Sequence, residues 1–159
     1  MSSQVQHFAE AANQFCSWAE HAPQSPEAEA GTALRLLSSL YQQALTLPDT
    51  FAEGEPAETT DEEWKSIYRR FGALPFNYYS QRFDPMDVQN DALELGDLAD
   101  DLADTWRDLR RGLSLFKSGH VAAAGWEWRQ SFWQHWGHHA AGGIYALHCW
   151  LAEHSQGAA

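Results

Sequence analysis

Between residues 90 and 117 the apolar side chains Leu95, Leu98, Leu102, Trp106, Leu109, Leu113 and Phe116 recur at three- and four-residue steps, and Ser118-Gly119 then turns the chain at once. That spacing gathers them on one face of an α-helix, which has to be buried against other helices. The rest of the chain keeps the same period. Val5, Phe8, Ala12, Phe15 and Ala19 mark a first helix that ends before Pro23. Ser25 caps a second helix, Pro26 takes its first position, and Leu34, Leu37, Leu40, Tyr41, Ala44 and Leu45 carry it towards Pro48. Residues 48–59 form an acidic loop without periodicity. Thr60-Asp-Glu-Glu63 reads as a capping box, opening a short third helix on Trp64, Ile67, Tyr68 and Phe71. Phe76 to Met86 is an aromatic connection, expected to seal the end of the bundle, with covering a pocket as the alternative. The last helix runs from about His120 to Glu153, with a bend expected at Gly142-Gly143. No stretch alternates as a strand would. The expected fold is all-α, an antiparallel bundle of four to five helices forming a single helical domain over residues 1–159.

Charge narrows the partners. The net charge is −12, and the ten Lys and Arg dominate no face, so nucleic acid and anionic membrane surfaces are excluded as partners. Basic proteins, small cationic ligands and divalent metals remain. Cys16 and Cys149 both fall in apolar helical patterns and are expected as buried, reduced thiols. The N-terminus carries neither a basic nor a continuous apolar segment, and no run is long enough to span a bilayer, so a cytoplasmic protein is expected.

Asp97, Asp101, Asp104 and Asp108 stack in a stripe about 120° from the apolar face of the fourth helix, with Glu94 at its edge. Like charges at these spacings oppose helix formation by roughly 0.2–0.5 kcal/mol per pair, so the stripe calls for a neutraliser. Arg107 and Arg111 flank it. Arg129 lies on the apolar side of the last helix and needs a carboxylate. Counting back from Ser118-Gly119 sets Arg129 level with Asp108, and His135 level with Asp101 to Asp104. A structural Asp108–Arg129 ion pair is therefore expected at the centre of a network between the two helices.

The same stripe is a candidate metal site. His135 and His138 share one side of the last helix, and carboxylates facing histidines can hold Mn, Fe or Zn, whereas Mg²⁺ is served by carboxylates alone. The candidate ligands are Glu94, Asp97, Asp101, Asp104, His135 and His138, with Mg²⁺ or Mn²⁺ as the ion and His135 as the candidate catalytic base. The structural ion network is the favoured reading of the two.

Leu98-Ala-Asp-Asp-Leu-Ala-Asp104, continuing Thr-Trp-Arg-Asp-Leu109, resembles the hallmark of a bacterial family catalogued as domain-of-unknown-function family 5063. Trp126-Glu-Trp-Arg129, Phe132 and His135-Trp-Gly-His-His-Ala140 resemble its second hallmark, and Phe83-Asp-Pro85 and Phe15-Cys16 fit as well. Thr105-Trp106 stands where Ile-Tyr is expected, a change on the core side. The resemblance implies a small helical cytosolic protein and brings no activity with it. Glu94-Leu-Gly-Asp97 is also similar to the Glu-x-x-Asp half-motif of the all-α nucleotide pyrophosphohydrolases, which bind Mg²⁺ between helices. Their second acidic helix motif has no counterpart beyond Glu27 and Glu29. Three functions follow as expectations, the third a simple metal-binding protein that uses His135 and His138. One is a non-enzymatic binding or interaction protein with a protein or small-molecule partner. The alternative is a Mg²⁺- or Mn²⁺-dependent hydrolase of nucleotide-like phosphate substrates.

Overall fold

The computed structural model describes residues 3–155. α1 (Ser3–Glu20) turns its Val5, Phe8, Ala12, Phe15 and Ala19 face inward as the spacing requires, and α2 (Pro26–Ala44) buries Leu37 and Leu40. Both expected caps form. Ser25 Oγ accepts from Ala28 N at 3.3 Å, and Thr60 exchanges bonds with Glu63 at 3.0 and 3.1 Å at the start of α3 (Asp61–Arg70). α4 (Leu98–Lys117) lies at the centre, packed on α1, α3, α5 and α6, while α2 packs on α1 and α6.

After Gly119, whose φ of +87° suits the only residue type free to adopt it, the chain reverses into α5 (Val121–Ser131). α5 continues through a π-helical turn (Phe132–Trp136) into α6 (Gly137–Ser155) as one uninterrupted helix. The irregularity expected at Gly142-Gly143 thus lies earlier, at the π turn. There Trp136 Nε1 donates to the Trp128 carbonyl at 3.3 Å, which gives that backbone group a side-chain partner inside the helix. With α5 and α6 taken together, the described residues hold five helices.

The core is one cluster in which Trp106, Trp128, Trp136, Phe8, Phe15, Leu102 and Leu109 are sealed from solvent. Each such side chain contributes roughly 1.5–3 kcal/mol of burial. Trp128 spans the α4–α5 contact and donates to the Leu109 carbonyl at 3.1 Å.

Two expectations are corrected. α4 does not begin near residue 90. A two-stranded antiparallel sheet precedes it, β1 (Tyr78–Gln81) against β2 (Glu94–Asp97), with Tyr79 opposite Gly96 and Ser80 opposite Leu95. Leu95, expected on the apolar helix face, is exposed. The physical reason is Asp97, whose carboxylate accepts from Asp100 N at 3.1 Å and caps the helix, forcing the preceding residues into extended backbone. Cys16 is buried, as expected, but Cys149 is exposed. Among the described residues no helix is long and apolar enough to cross a membrane.

Candidate functional site

The stripe on α4 meets the last helix through two imidazoles. At the π turn and the start of α6, His135 and His139 stand one turn apart, with rings 4.8 Å between centres. His135 Nδ1 lies 2.7 Å from Asp108 Oδ2, and His139 Nδ1 lies 2.7 Å from Asp101 Oδ1. With both Nδ1 atoms held, both Nε2 atoms converge on one oxygen. They lie 3.4 Å (His135) and 3.5 Å (His139) from Asp104 Oδ2. The other oxygen of Asp104 accepts from Trp64 Nε1 of α3 at 2.8 Å.

A wheel of α4 explains the division of labour. Asp101 and Asp108 sit to one side of Asp104, towards the last helix, and orient the histidines. Asp97 and Asp100 lie on the turn before. Asp101 is buried and also accepts the Tyr79 hydroxyl of β1. Asp97 is spent on structure, taking Asn77 Nδ2 at 3.0 Å and Tyr68 OH at 2.9 Å in addition to its cap.

Charge follows from this wiring. Hydrogen bonds that His135 donates to Asp104 and then Asp108 push its pKa up to about 10 against its partial burial. Burial opposes protonation of His139, but the Asp101 hydrogen bond and the neighbouring carboxylates outweigh it, and its pKa rises too. Burial would raise Asp104, yet bonds from His135 and Trp64 hold it below the usual carboxylate range. Burial and the adjacent Asp104 raise Asp100. The raised pKa values of both histidines favour imidazoliums, which offset part of the negative charge of the facing carboxylates.

The expected ligands are only partly brought together. Asp101, Asp104 and His135 join the cluster. Glu94 is exposed on β2 and Asp97 is engaged in capping, so the Glu94-Asp97 half-motif lies in a strand and not on a helix face. His138 is exposed and packs against Phe83, 5.1 Å between ring centres. The expected Asp108–Arg129 pair is replaced. Arg129 Nη2 reaches Asp49 Oδ2 at 3.2 Å, while Asp108 is taken by His135. The flanking arginines also turn elsewhere: Arg111 pairs with Glu127 at 2.7 Å and with Glu58, and Arg107 lies over the Trp64 ring. Sequence reasoning missed His139, although its four-residue spacing from His135 was the available signal. It also missed Tyr79 and Trp64, which come from distant elements and leave no local trace.

Three donors suited to a metal ion, from Asp104, His135 and His139, lie within 4.8 Å of one another, and Asp100, Asp101 and His139 form a second such group. A tetrahedral ion with bonds of about 2.0–2.2 Å separates its ligand atoms by about 3.3–3.6 Å. The two Nε2 to Asp104 separations fall in that interval.

A family model described as "Domain of unknown function (DUF5063)" matches residues 1–153. No curated protein matches the chain. Among solved structures, protein BF1032 from Bacteroides fragilis superposes with a TM-score of 0.75 over 91% of this chain and 90% of its own, at 21% identity. At that identity the likeness is one of fold.

Proposed function

Because the chain belongs to the DUF5063 family, whose description assigns no activity, its function has to be sought in its own side chains, and we propose that it is a metal-binding helical protein. One divalent first-row transition ion is held by His135 Nε2, His139 Nε2 and the Asp104 carboxylate. A single observation carries this reading: each histidine gives its Nδ1 to a carboxylate, so both Nε2 atoms face the same oxygen. A carboxylate behind a ligating imidazole fixes its tautomer and raises its basicity, which is how protein metal sites are commonly supported. Two imidazoles favour Zn²⁺ or Fe²⁺ over Mg²⁺, a hard ion that prefers oxygen and water. Three protein donors leave a position for water or a further ligand, and the His135 side chain, 45% exposed, lies on the accessible side.

The test is thermal melting of the metal-stripped protein with Zn²⁺, Mn²⁺ and Mg²⁺. An ion binding only the native state at one hundred times its Kd adds about 2.7 kcal/mol, a rise of about 5–10 °C for a chain of this size. Zn²⁺ should produce such a rise in the wild type and in His138→Ala, and little or none in His139→Ala or Asp104→Asn. Equal shifts in all four proteins would place any bound ion elsewhere, and no shift in any would leave the cluster a pure ion network.

A further inference from the structure

Away from the histidine cluster, an apolar groove of about 780 Å³ runs between β1 and α6. On one side it is lined by every residue from 78 to 82, and on the other by Ala141, Tyr145, Ala146 and Cys149 of α6. Successive strand residues point to opposite faces. A groove that touches all of them therefore runs along the edge of the strand and not over one of its faces. Among the described residues β1 pairs only with β2, so this edge offers unpaired backbone N–H and C=O groups. Phe76 and Trp150, stacked 6.3 Å apart, line the groove as well.

The lining of the groove carries Arg82 and Glu153, and the loop between the strands, which contributes Arg82, Pro85 and Leu93 to it, sets further acids beside it. From Arg82 to Glu94 at the start of β2 the chain exposes Phe83, Met86, Val88 and Leu93 among Asp84, Asp87, Asp91 and Glu94, a net −3 from one arginine and four acids. None of these four acids has an ion-pair partner among the described residues, and Asp84 spends one oxygen on Met86 N at 2.9 Å. A second copy of the chain would bring the same acids against them, and the whole chain carries −12. An uncharged occupant would leave them unanswered.

We propose that the groove takes an extended peptide segment of another protein, apolar along its length and carrying Lys or Arg, which adds as a third strand to the open edge of β1. Backbone pairing would supply affinity and the flanking cations would match the acidic loop. This inference is independent of the metal reading, since no proposed ligand lines the groove.

The probe is a blocked seven-residue peptide alternating Lys and Val, with a Glu–Val counterpart, titrated into the isotope-labelled full chain by NMR. The Lys peptide should shift amides in residues 76–82 and 141–150, and raising the salt from about 50 to 300 mM should weaken it severalfold. Ala146→Arg, which fills the groove with like charge, should weaken binding at least tenfold, and the milder Tyr145→Ala at least threefold. No shifts at millimolar Lys peptide, equal binding of the Glu peptide, or indifference to both substitutions would overturn the proposal. So would a wild-type dimer in sedimentation that Ala146→Arg dissociates, because the occupant would then be a second copy.

Discussion

Gly142→Ala should destabilise the protein, against the ordinary preference of helices for alanine. Gly142 lies inside α6, where replacing glycine by alanine normally gains about 0.8–1 kcal/mol. A Cβ at this position would stand 2.8 Å from the Tyr79 hydroxyl and 3.2 Å from Gln81 Oε1. The glutamine end can swing away, but the hydroxyl cannot move without leaving Asp101, its hydrogen-bond acceptor. Asp101 is only 5% exposed, so water cannot replace the lost donor. Losing a hydrogen bond to a buried charged group costs about 1.5–3 kcal/mol, and the net loss is about 0.5–2 kcal/mol. Two companions isolate the cause. Gly31→Ala, within α2 and with nothing inside 4 Å of the new Cβ, should gain about 0.8–1 kcal/mol. On a Tyr79→Phe background, where the obstructing oxygen is absent, Gly142→Ala should turn from destabilising to stabilising. Urea unfolding of the wild type, Gly142→Ala, Tyr79→Phe and the double variant completes the cycle, with Gly31→Ala as the control. If Gly142→Ala stabilises the wild type as much as Gly31→Ala does, the wall that Tyr79 forms between β1 and the histidine cluster is not as described.

Three further outcomes follow from the electrostatics. Burial would raise Glu29, but bonds from Arg70, Gln24 N and Trp18 hold its pKa below the usual range, so its stabilisation is complete above the ordinary glutamate pKa and is lost as pH falls through the depressed one. Glu29→Gln should therefore cost about 3–5 kcal/mol at neutral pH in chemical unfolding and flatten the acid limb, because it strands Arg70 2.8 Å away. His135 has the opposite sign: its raised pKa stabilises the metal-free protein fully below about 6.5 and loses that contribution as pH rises to about 10. Melting temperature in chelator should fall across that window, whereas the increment given by Zn²⁺ should grow, since metal and protons compete for the same nitrogens. Asp108→Asn removes the carboxylate behind His135 and should weaken Zn²⁺ about 10- to 100-fold in calorimetry while leaving all three donors in place.

The helices were legible in the sequence because each buries a continuous face, and burial imposes its period on many residues at once. Ser25 and the Thr60–Glu63 box were legible for a different reason, since capping is decided within four residues. The strands were not. Four residues are too few to show alternation, and Leu95 happens to continue the helical spacing of α4 although it faces solvent. Finding the acidic stripe needed only the period of α4, but finding its partners needed the register of the opposing helix. Across the π turn, His135 meets Asp108, and His139, four residues on at ordinary helical spacing, stands beside it, while His138 turns outward against Phe83. Arg129 lies before that turn and is drawn to Asp49, a loop residue whose approach nothing in the local sequence announces.

Diffraction at the zinc absorption edge, from crystals grown with Zn²⁺, would locate the ion among the side chains of α4 and the last helix. One anomalous peak is expected about 2.0–2.2 Å from His135 Nε2, His139 Nε2 and an Asp104 oxygen, with Asp101 and Asp108 still bonded to the two Nδ1 atoms. An empty cluster at full Zn²⁺ occupancy elsewhere, or a peak coordinated by His138 in place of His139, would contradict the proposed site.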